Sequence, residues 1–367
     1  MTFCIPFVTA LMQPPSAGGG ASLPCTSIQH VTGTVSASSA SVDVTISTVD
    51  TTVSTLMWGG QGGNATDDIR AHALVRAELI NSTTVRFTRG SSASAGSIVC
   101  KVSIVEWSSD WVDTIQRGTI ALTNPATSNT ATITGVDTAR SYVSFLGASS
   151  SNTASAVSNL AIPLVVLTNG TTVTASVNTA ETSTNTVTVS YEVVQLKAVK
   201  VRSVQYAQFS GTATSATENV TISSVAVGDC MVIQNGQTSA NANAGRCFTA
   251  ELTSSTNVAF TRGQTTSTVQ SAGVTVVELI STFAAVQNIS ATGYATSATS
   301  VDQSITALNT ADSFLTYQGI STGAATAYNV AISSVDYKDT DEVTFRRGPT
   351  TSLTTPTLKA RSHTFVT

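Results

Sequence analysis

The chain repeats itself four times, and that periodicity limits the fold more than any single motif does. A β-branched residue followed by Gln opens each copy, at Ile28-Gln29, Ile115-Gln116, Val204-Gln205 and Val286-Gln287, with spacings of 87, 89 and 82 residues. An apolar pair follows 17 or 18 residues after each Gln: Ile46/Val49, Ile133/Val136, Ile222/Val225 and Ile305/Leu308. A later stretch reads TTVRFTRG at 83–90, TTVTASVN at 171–178, TNVAFTRG at 256–263 and DEVTFRRG at 341–348. The closing stretch reads VSIVEW at 102–107, YEVVQL at 191–196 and VTVVEL at 274–279, with RSHTFVT at 361–367 in the last copy. Coincident anchors at nearly constant offsets mark one structural unit used four times.

The unit is β-structure. Val85, Phe87 and Arg89 alternate with Arg86, Thr88 and Gly90, the period of a strand with one buried face. Thr and Val suit such strands because branching at Cβ packs well on a pleated surface. The run Gly59-Gly60-Gln61-Gly62-Gly63 reads as a turn, and AHALVRAELI at 71–80 as a strand despite its good helix formers. Six or seven strands in about 85 residues predict a small antiparallel sandwich. The expected fold is therefore all-β: four tandem small antiparallel β-sandwich (Ig-like) domains at 28–111, 112–201, 202–283 and 284–367, behind an N-terminal arm at 1–27. Sandwiches linked end to end predict a rod of roughly 100–150 Å.

Composition narrows the function. Charged residues are only 10% of the chain, 17 Lys+Arg against 21 Asp+Glu, where an average domain has about 25%. Hydroxyls and amides must cover the surface instead. Without a basic run, nucleic-acid binding is not expected. No apolar stretch is long enough for a membrane helix. His30, His72 and His363 are too scattered for obvious acid–base or metal chemistry. No catalytic, cofactor or metal site is expected. Sheet edges normally carry Lys, Pro or bulges; here such guards are sparse, which predicts cover by neighbouring units or by other copies of the chain.

The first 15 residues, MTFCIPFVTALMQPP, are apolar but lack the basic start of a secretory signal. They read as an arm that docks on a partner or on the first domain, with Phe3, Ile5 and Phe7 as candidate interface residues. Five cysteines (Cys4, Cys25, Cys100, Cys230 and Cys247) form no metal spacing and read as free buried thiols. A Cys230–Cys247 bond stays open.

Four further groups invite a role. Arg89 and Arg262 recur opposite Glu106 and Glu278, while the second copy has Val177 and Gln195 there. Joint loss of both partners predicts a cross-strand ion pair on one face; a row of Arg gripping an anionic ligand is the alternative. Gly90, Gly263 and Gly348 are expected to turn the chain with φ > 0. The acidic run Asp336, Asp339, Asp341, Glu342, like Asp67-Asp68, reads as a solvated loop, with calcium as the competing idea. Trp107 and Trp111, beside Trp58 in the first unit, read as seam packing or as an interface; exposed, they would stack on sugars.

Tandem β units rich in Thr, Ser, Ala and Val, with hairpins such as VRFTRG and VAFTRG and closing strands such as VSIVEW and VTVVEL, resemble structural proteins of tailed-bacteriophage virions. The resemblance covers nearly everything after residue 27 and rests on style and repeat motif. It implies a non-enzymatic virion part (tail, collar or head fibre, or capsid decoration) made in the host cytoplasm. Such proteins assemble as homo-oligomers, often trimers, alongside other virion proteins, with no membrane and no nucleic-acid partner. A host surface glycan is a candidate partner. The alternatives are a bacterial surface adhesin with Ig-like repeats and a carbohydrate-binding or carbohydrate-active protein.

Overall fold

A computed structural model describes residues 24–63, 69–92, 96–153, 160–181, 183–212, 215–239, 247–263, 269–280, 283–292, 298–321, 333–347 and 356–365. The first repeat forms β1 (Cys25–Val35), β2 (Ser41–Thr45), β3 (Ser54–Gly63), α1 (Arg70–Ala73), β4 (Val75–Asn81), β5 (Thr84–Arg89) and β6 (Ile98–Trp107). The second forms β7 (Val112–Thr123), β8 (Ser128–Thr132), β9 (Ser141–Ser150), β10 (Leu160–Ala161), β11 (Leu164–Asn169), β12 (Thr172–Ser176) and β13 (Thr186–Leu196). The third forms β14 (Val201–Thr212), β15 (Thr217–Thr221), β16 (Cys230–Ser239), β17 (Phe248–Ser254), β18 (Asn257–Arg262) and β19 (Val269–Leu279). The fourth forms β20 (Phe283–Ala291), β21 (Ser300–Ser304), β22 (Ser313–Ser321), β23 (Ser333–Tyr337), β24 (Glu342–Arg347) and β25 (Thr357–Phe365). The stretch at 71–80 is one helical turn and then a strand, not a continuous strand.

The chain is all-β, but its sheets cross the repeat boundaries. Among the described residues there are five antiparallel sheets. Three are six-stranded: β1-β6-β3-β23-β24-β21, β2-β5-β4-β9-β13-β7 and β15-β18-β17-β22-β25-β20. Each joins three strands of one repeat to three strands of the preceding one. The remaining two, β10-β16-β19-β14 and β11-β12-β8, occupy the equivalent place for repeats three and two. They adjoin where Asn235 Nδ2 of β16 donates to the Val165 carbonyl of β11 at 3.2 Å. Separate tandem sandwiches therefore do not describe the sheets.

The sheet containing β3 and β23 links the first repeat to the last, so the five sheets close into a propeller-like ring. The expected rod is overturned by this closure. Around the axis β3 packs on β9, β9 on β16, β16 on β22 and β22 on β3. These four strands are buried on both faces for nearly their whole length. The run Gly59–Gly63 lies inside β3 and is no turn. Side chains at one end of the axis form a shared core of Met57, Tyr142, Met231, Ile233 and Phe314, closed by Trp107, Leu196, Leu279 and Phe365. Away from the axis, residues of β14, β16 and β19 face residues of β17 and β18 over a core made only of repeat three.

One glycine per repeat makes the seam possible. Gly60, Gly147, Gly236 and Gly319 have φ of 87°, 85°, 106° and 100°, a region costly for any residue with a Cβ. A Cβ at each would collide with a carbonyl oxygen of the preceding repeat around the ring: Ser333, Val75, Pro163 and Phe248 respectively. The backbones approach this closely because nothing but hydrogen stands between them.

The Gln anchors also have one job in all four repeats. Gln29, Gln116, Gln205 and Gln287 each donate through Nε2 to a backbone carbonyl and accept through Oε1 from the N–H of the same residue, namely Ser47, Thr134, Ser223 and Thr306. A primary amide matches a peptide group's donor and acceptor together. This pins the segment leading to the axial strand, whose apolar pair is tied in turn to the nearby hairpin: Ile133 N–H to Thr171 O at 3.0 Å and Val136 N–H to Gly170 O at 2.8 Å. Gln116→Ala should cost about 1–2 kcal/mol, read as a lowered urea midpoint. Gln116→Glu should not rescue it, because a carboxylate repels the Thr134 carbonyl that the amide served.

Candidate functional site at the seams of the ring

Facing positions of the outer strands form a latch at three of the four seams. On β1 and β6, His30 faces Ser103; on β7 and β13, Arg117 faces Glu192; on β14 and β19, Tyr206 faces Thr275; on β20 and β25, Asn288 faces Arg361. Three of these reach back to the preceding repeat. His30 Nε2 contacts the Thr310 carbonyl at 3.1 Å and its ring meets Tyr337 edge-on at 5.2 Å. Arg117 donates to the carbonyls of Thr51 and Ser54. Arg361 donates to the Val227 carbonyl. Acid–lysine pairs join the same neighbours: Asp336 with Lys101 across the ring closure and Glu251 with Lys359 across the third seam.

A cleft of about 150 Å³ is lined by Glu78, Arg117, Ser190, Tyr191 and Glu192. Burial raises the carboxyl pKa of Glu192, which the Arg117 guanidinium partly offsets. One Glu192 oxygen accepts from Leu56 N–H at 2.9 Å and the other from Arg117 Nε at 2.7 Å. Both oxygens are committed, one across the seam to Leu56 and one to Arg117 of its own repeat, so the group is built to hold the first repeat rather than to exchange a proton.

The pairs expected between Arg89 and Glu106 and between Arg262 and Glu278 are not formed. Arg89 donates from Nε to Ser39 O and from Nη2 to Ala37 O, both at 2.8 Å. Arg262 donates to Ser215 O at 3.1 Å and to Gln270 Oε1 at 2.9 Å. Both sit under the turn between the first two strands of their own repeat, as does Arg347, which donates to Ala298 O at 2.8 Å. Glu106 accepts from Asp50 N–H at 2.7 Å, and Glu278 from Ala226 N–H at 2.8 Å. Gln195 does the same for Asp137 N–H at 2.7 Å. An amide oxygen serves as well as a carboxylate there, so the Gln in repeat two is no lost partner. The two differences coincide in one copy for unrelated reasons.

Trp107 and Trp111 are buried within the axial core, not displayed to a partner. Trp107 donates from Nε1 to Thr55 Oγ1 at 3.1 Å, stacks near Trp111 with centroids 6.3 Å apart, and meets Phe365 edge-on at 5.6 Å. It thus ties the first and last repeats together. Trp58 is 9% exposed and, with Phe145, Gln234 and Tyr317 at matching positions, lines a small axial opening of about 40 Å³. Phe3, Ile5 and Phe7 lie outside the described residues.

Cys25, Cys100, Cys230 and Cys247 are free and buried, which excludes a Cys230–Cys247 bond. Cys230 donates to the Ala226 carbonyl at 3.2 Å, the role played by the hydroxyls of Ser54, Ser141 and Ser313 elsewhere. Gly90 does not adopt positive φ; it is needed because a Cβ would strike the Ser150 carbonyl. Gly348, Asp67 and Asp68 lie outside the described residues. The acidic run is internally consumed: Lys338 bonds Asp302 and Glu342, Asp336 bonds Lys101, and Asp339 accepts from Asp341 N–H. Among the described residues no group of His, Cys, Asp and Glu is placed to hold a metal ion.

Asp113, on β7, is held by cations of its own repeat. Hydrogen bonds from Lys197 and Arg140 hold its carboxyl at about 2. Its folded pKa lies below its unfolded value, so its stabilisation is present above about pH 4 and is lost as pH falls through about 2. Asp113→Asn should flatten the fall of the urea midpoint between pH 4 and pH 2 and lower it at pH 7. An unchanged acid slope would mean the contacts add nothing in solution.

No family model, curated protein or solved structure matches the chain.

Proposed function

We propose that the chain is a non-enzymatic structural component of a tailed-phage virion, such as a tail, collar or head fibre or a capsid decoration, working through β-face packing and self-association. In this reading each repeat is an Ig-like sandwich unit whose two half-sheets are continued by its neighbours. The observation that carries the reading is the character of the sheet edges. Every sheet that includes a repeat's long first strand ends on it: β1, β7, β14 or β20. An edge strand offers a row of unpaired N–H and C=O groups. β20, FAAVQNISA, has no charged residue, and β1, CTSIQHVTGTV, has none apart from His30. Such edges accept a further strand from another copy or from another virion protein.

A ring that joins others through its rim suits a scaffold assembled in the host cytoplasm and carried on the particle. The bacterial adhesin and carbohydrate-binding readings draw on the aromatic positions at the axis, but an opening of about 40 Å³ does not admit a sugar ring. The test is light scattering and negative-stain imaging of the purified chain. Joined rings are expected, and Ala285→Lys with Ser290→Lys on β20 should weaken their association at least tenfold. Rings that stay single at high concentration would refute self-association; a glycan dependence abolished by Trp58→Ala would favour the carbohydrate reading instead.

A further inference from the structure

Arg361 differs from the other buried arginines of the chain. Arg89, Arg262 and Arg347 are each 2% exposed and lie against backbone carbonyls. Arg117 has the Glu192 carboxylate. Arg361 is 1% exposed; only its Nη2 is bonded, to the Val227 carbonyl, and neither Nε nor Nη1 has a partner. A guanidinium does not shed its proton in a protein. A buried charge without counter-charge, and buried donors without acceptors, are both strongly unfavourable.

The acid whose field reaches it does not bond it. Glu251, on β17 of the same sheet, favours the charged guanidinium from a distance but spends its own carboxylate on Lys359. The Cys230 thiol in its field is pushed up to about 12 by burial and stays neutral. Thr316, directly opposite on β22, donates its hydroxyl to the Arg361 carbonyl at 3.4 Å and meets His363 Nε2 at 3.1 Å. His363 lies two residues along β25, on the same face. It is fully buried between Phe283 and Phe314, and its Nδ1 is also without a partner.

We infer that Arg361 holds a small inorganic anion, of halide size, at the seam between the third and fourth repeats. The guanidinium is 1% exposed and closely packed, which limits the occupant to a single atom rather than a phosphate or a carboxylate. The anion neutralises the guanidinium and accepts from the donors the fold leaves unpaired. It completes a seam latch that in the second repeat is completed by a carboxylate, Glu192, at the position equivalent to Arg361. The site is independent of the virion reading, and its failure would leave that reading untouched.

The test pairs crystallography with thermal unfolding of the full chain. Crystals grown in sodium bromide should show an anomalous peak at hydrogen-bond distance from the Arg361 guanidinium. At equal ionic strength, sodium chloride or bromide should raise the unfolding temperature above that in sodium gluconate, by about 2 °C at ten times the dissociation constant. Arg361→Met should abolish the difference between salts. A non-anomalous water at the guanidinium, or a halide effect that survives in Arg361→Met, would overturn the assignment. If Arg361→Met does not fold, the bromide map of the unsubstituted chain decides.

Discussion

Gly147→Ala should destabilise the chain by about 3–5 kcal/mol, an effect normally reserved for emptied cores. The glycine has a φ of 85°, and its partner across the seam is Arg76 of β4. A methyl group there meets the Val75 carbonyl oxygen, the Arg76 Cα and the edge of the Trp58 ring at once. Two of those three are backbone, so no side-chain rotation relieves the clash. The seam must open, and with it the join between the first repeat's second half-sheet and the axial strand β9. Hydrogen exchange should therefore show β4 and β9 losing protection while the β1–β6 ladder keeps it. Gly228→Ala is the control: a Cβ there meets nothing, and the change should stay within about 1 kcal/mol. Equal effects at the two positions would mean that the close approach is not what these glycines are for.

That glycine also marks how far the sequence could be read. Alternation in TVRFTR and the Thr/Val content declare half-buried strands, and the Gln anchors declare four copies, because local burial and local tethers leave local patterns. Which repeat supplies a strand's neighbour leaves none. The join between β3 and β23 is made by backbone groups, and the side chains of an edge strand look alike whether the partner is near or far in the chain. The axial strands were hidden for a related reason. STLMWGGQGG and CMVIQNGQTS are buried on both faces, yet their Gly, Ser, Asn and Gln resemble turn residues. They tolerate that depth because Gly lets carbonyls approach and because Gln61 and Asn235 are fully bonded inside, to Ala73 and Val75 and to Val143, Val165 and Thr275.

The candidate site was less legible still. The Arg–Glu pairing looked convincing because both partners change together in repeat two. The structure shows two separate tethers, one under a turn and one at the start of an axial strand, each of which accepts a substitute. Covariation within four copies cannot separate contact from coincidence. The buried charge pair that reaches the first repeat, Arg117 with Glu192, has no counterpart at the matching positions of the others and so left no repeated signal. Its geometry also joins the first and second repeats: Glu192 belongs to β13, but the N–H it accepts belongs to β3.

Removing one half of that pair should therefore cost more than removing both. Glu192 is fully buried and Arg117 about one-quarter exposed. Glu192→Leu leaves Leu56 N–H without its acceptor and Arg117 without its counter-charge, at an expected cost of about 3–5 kcal/mol. Arg117→Met strands a buried carboxylate, which can escape only by taking up a proton, and should cost a similar amount at pH 7. The double variant replaces the whole group with apolar volume, and should be clearly more stable than either single variant, since well-packed hydrophobes often match a buried ion pair. The coupling measured by urea unfolding of all four proteins should reach about 2–3 kcal/mol. Additive single losses would show that water already screens the pair, and that the seam is held by its backbone ladder and its glycine alone.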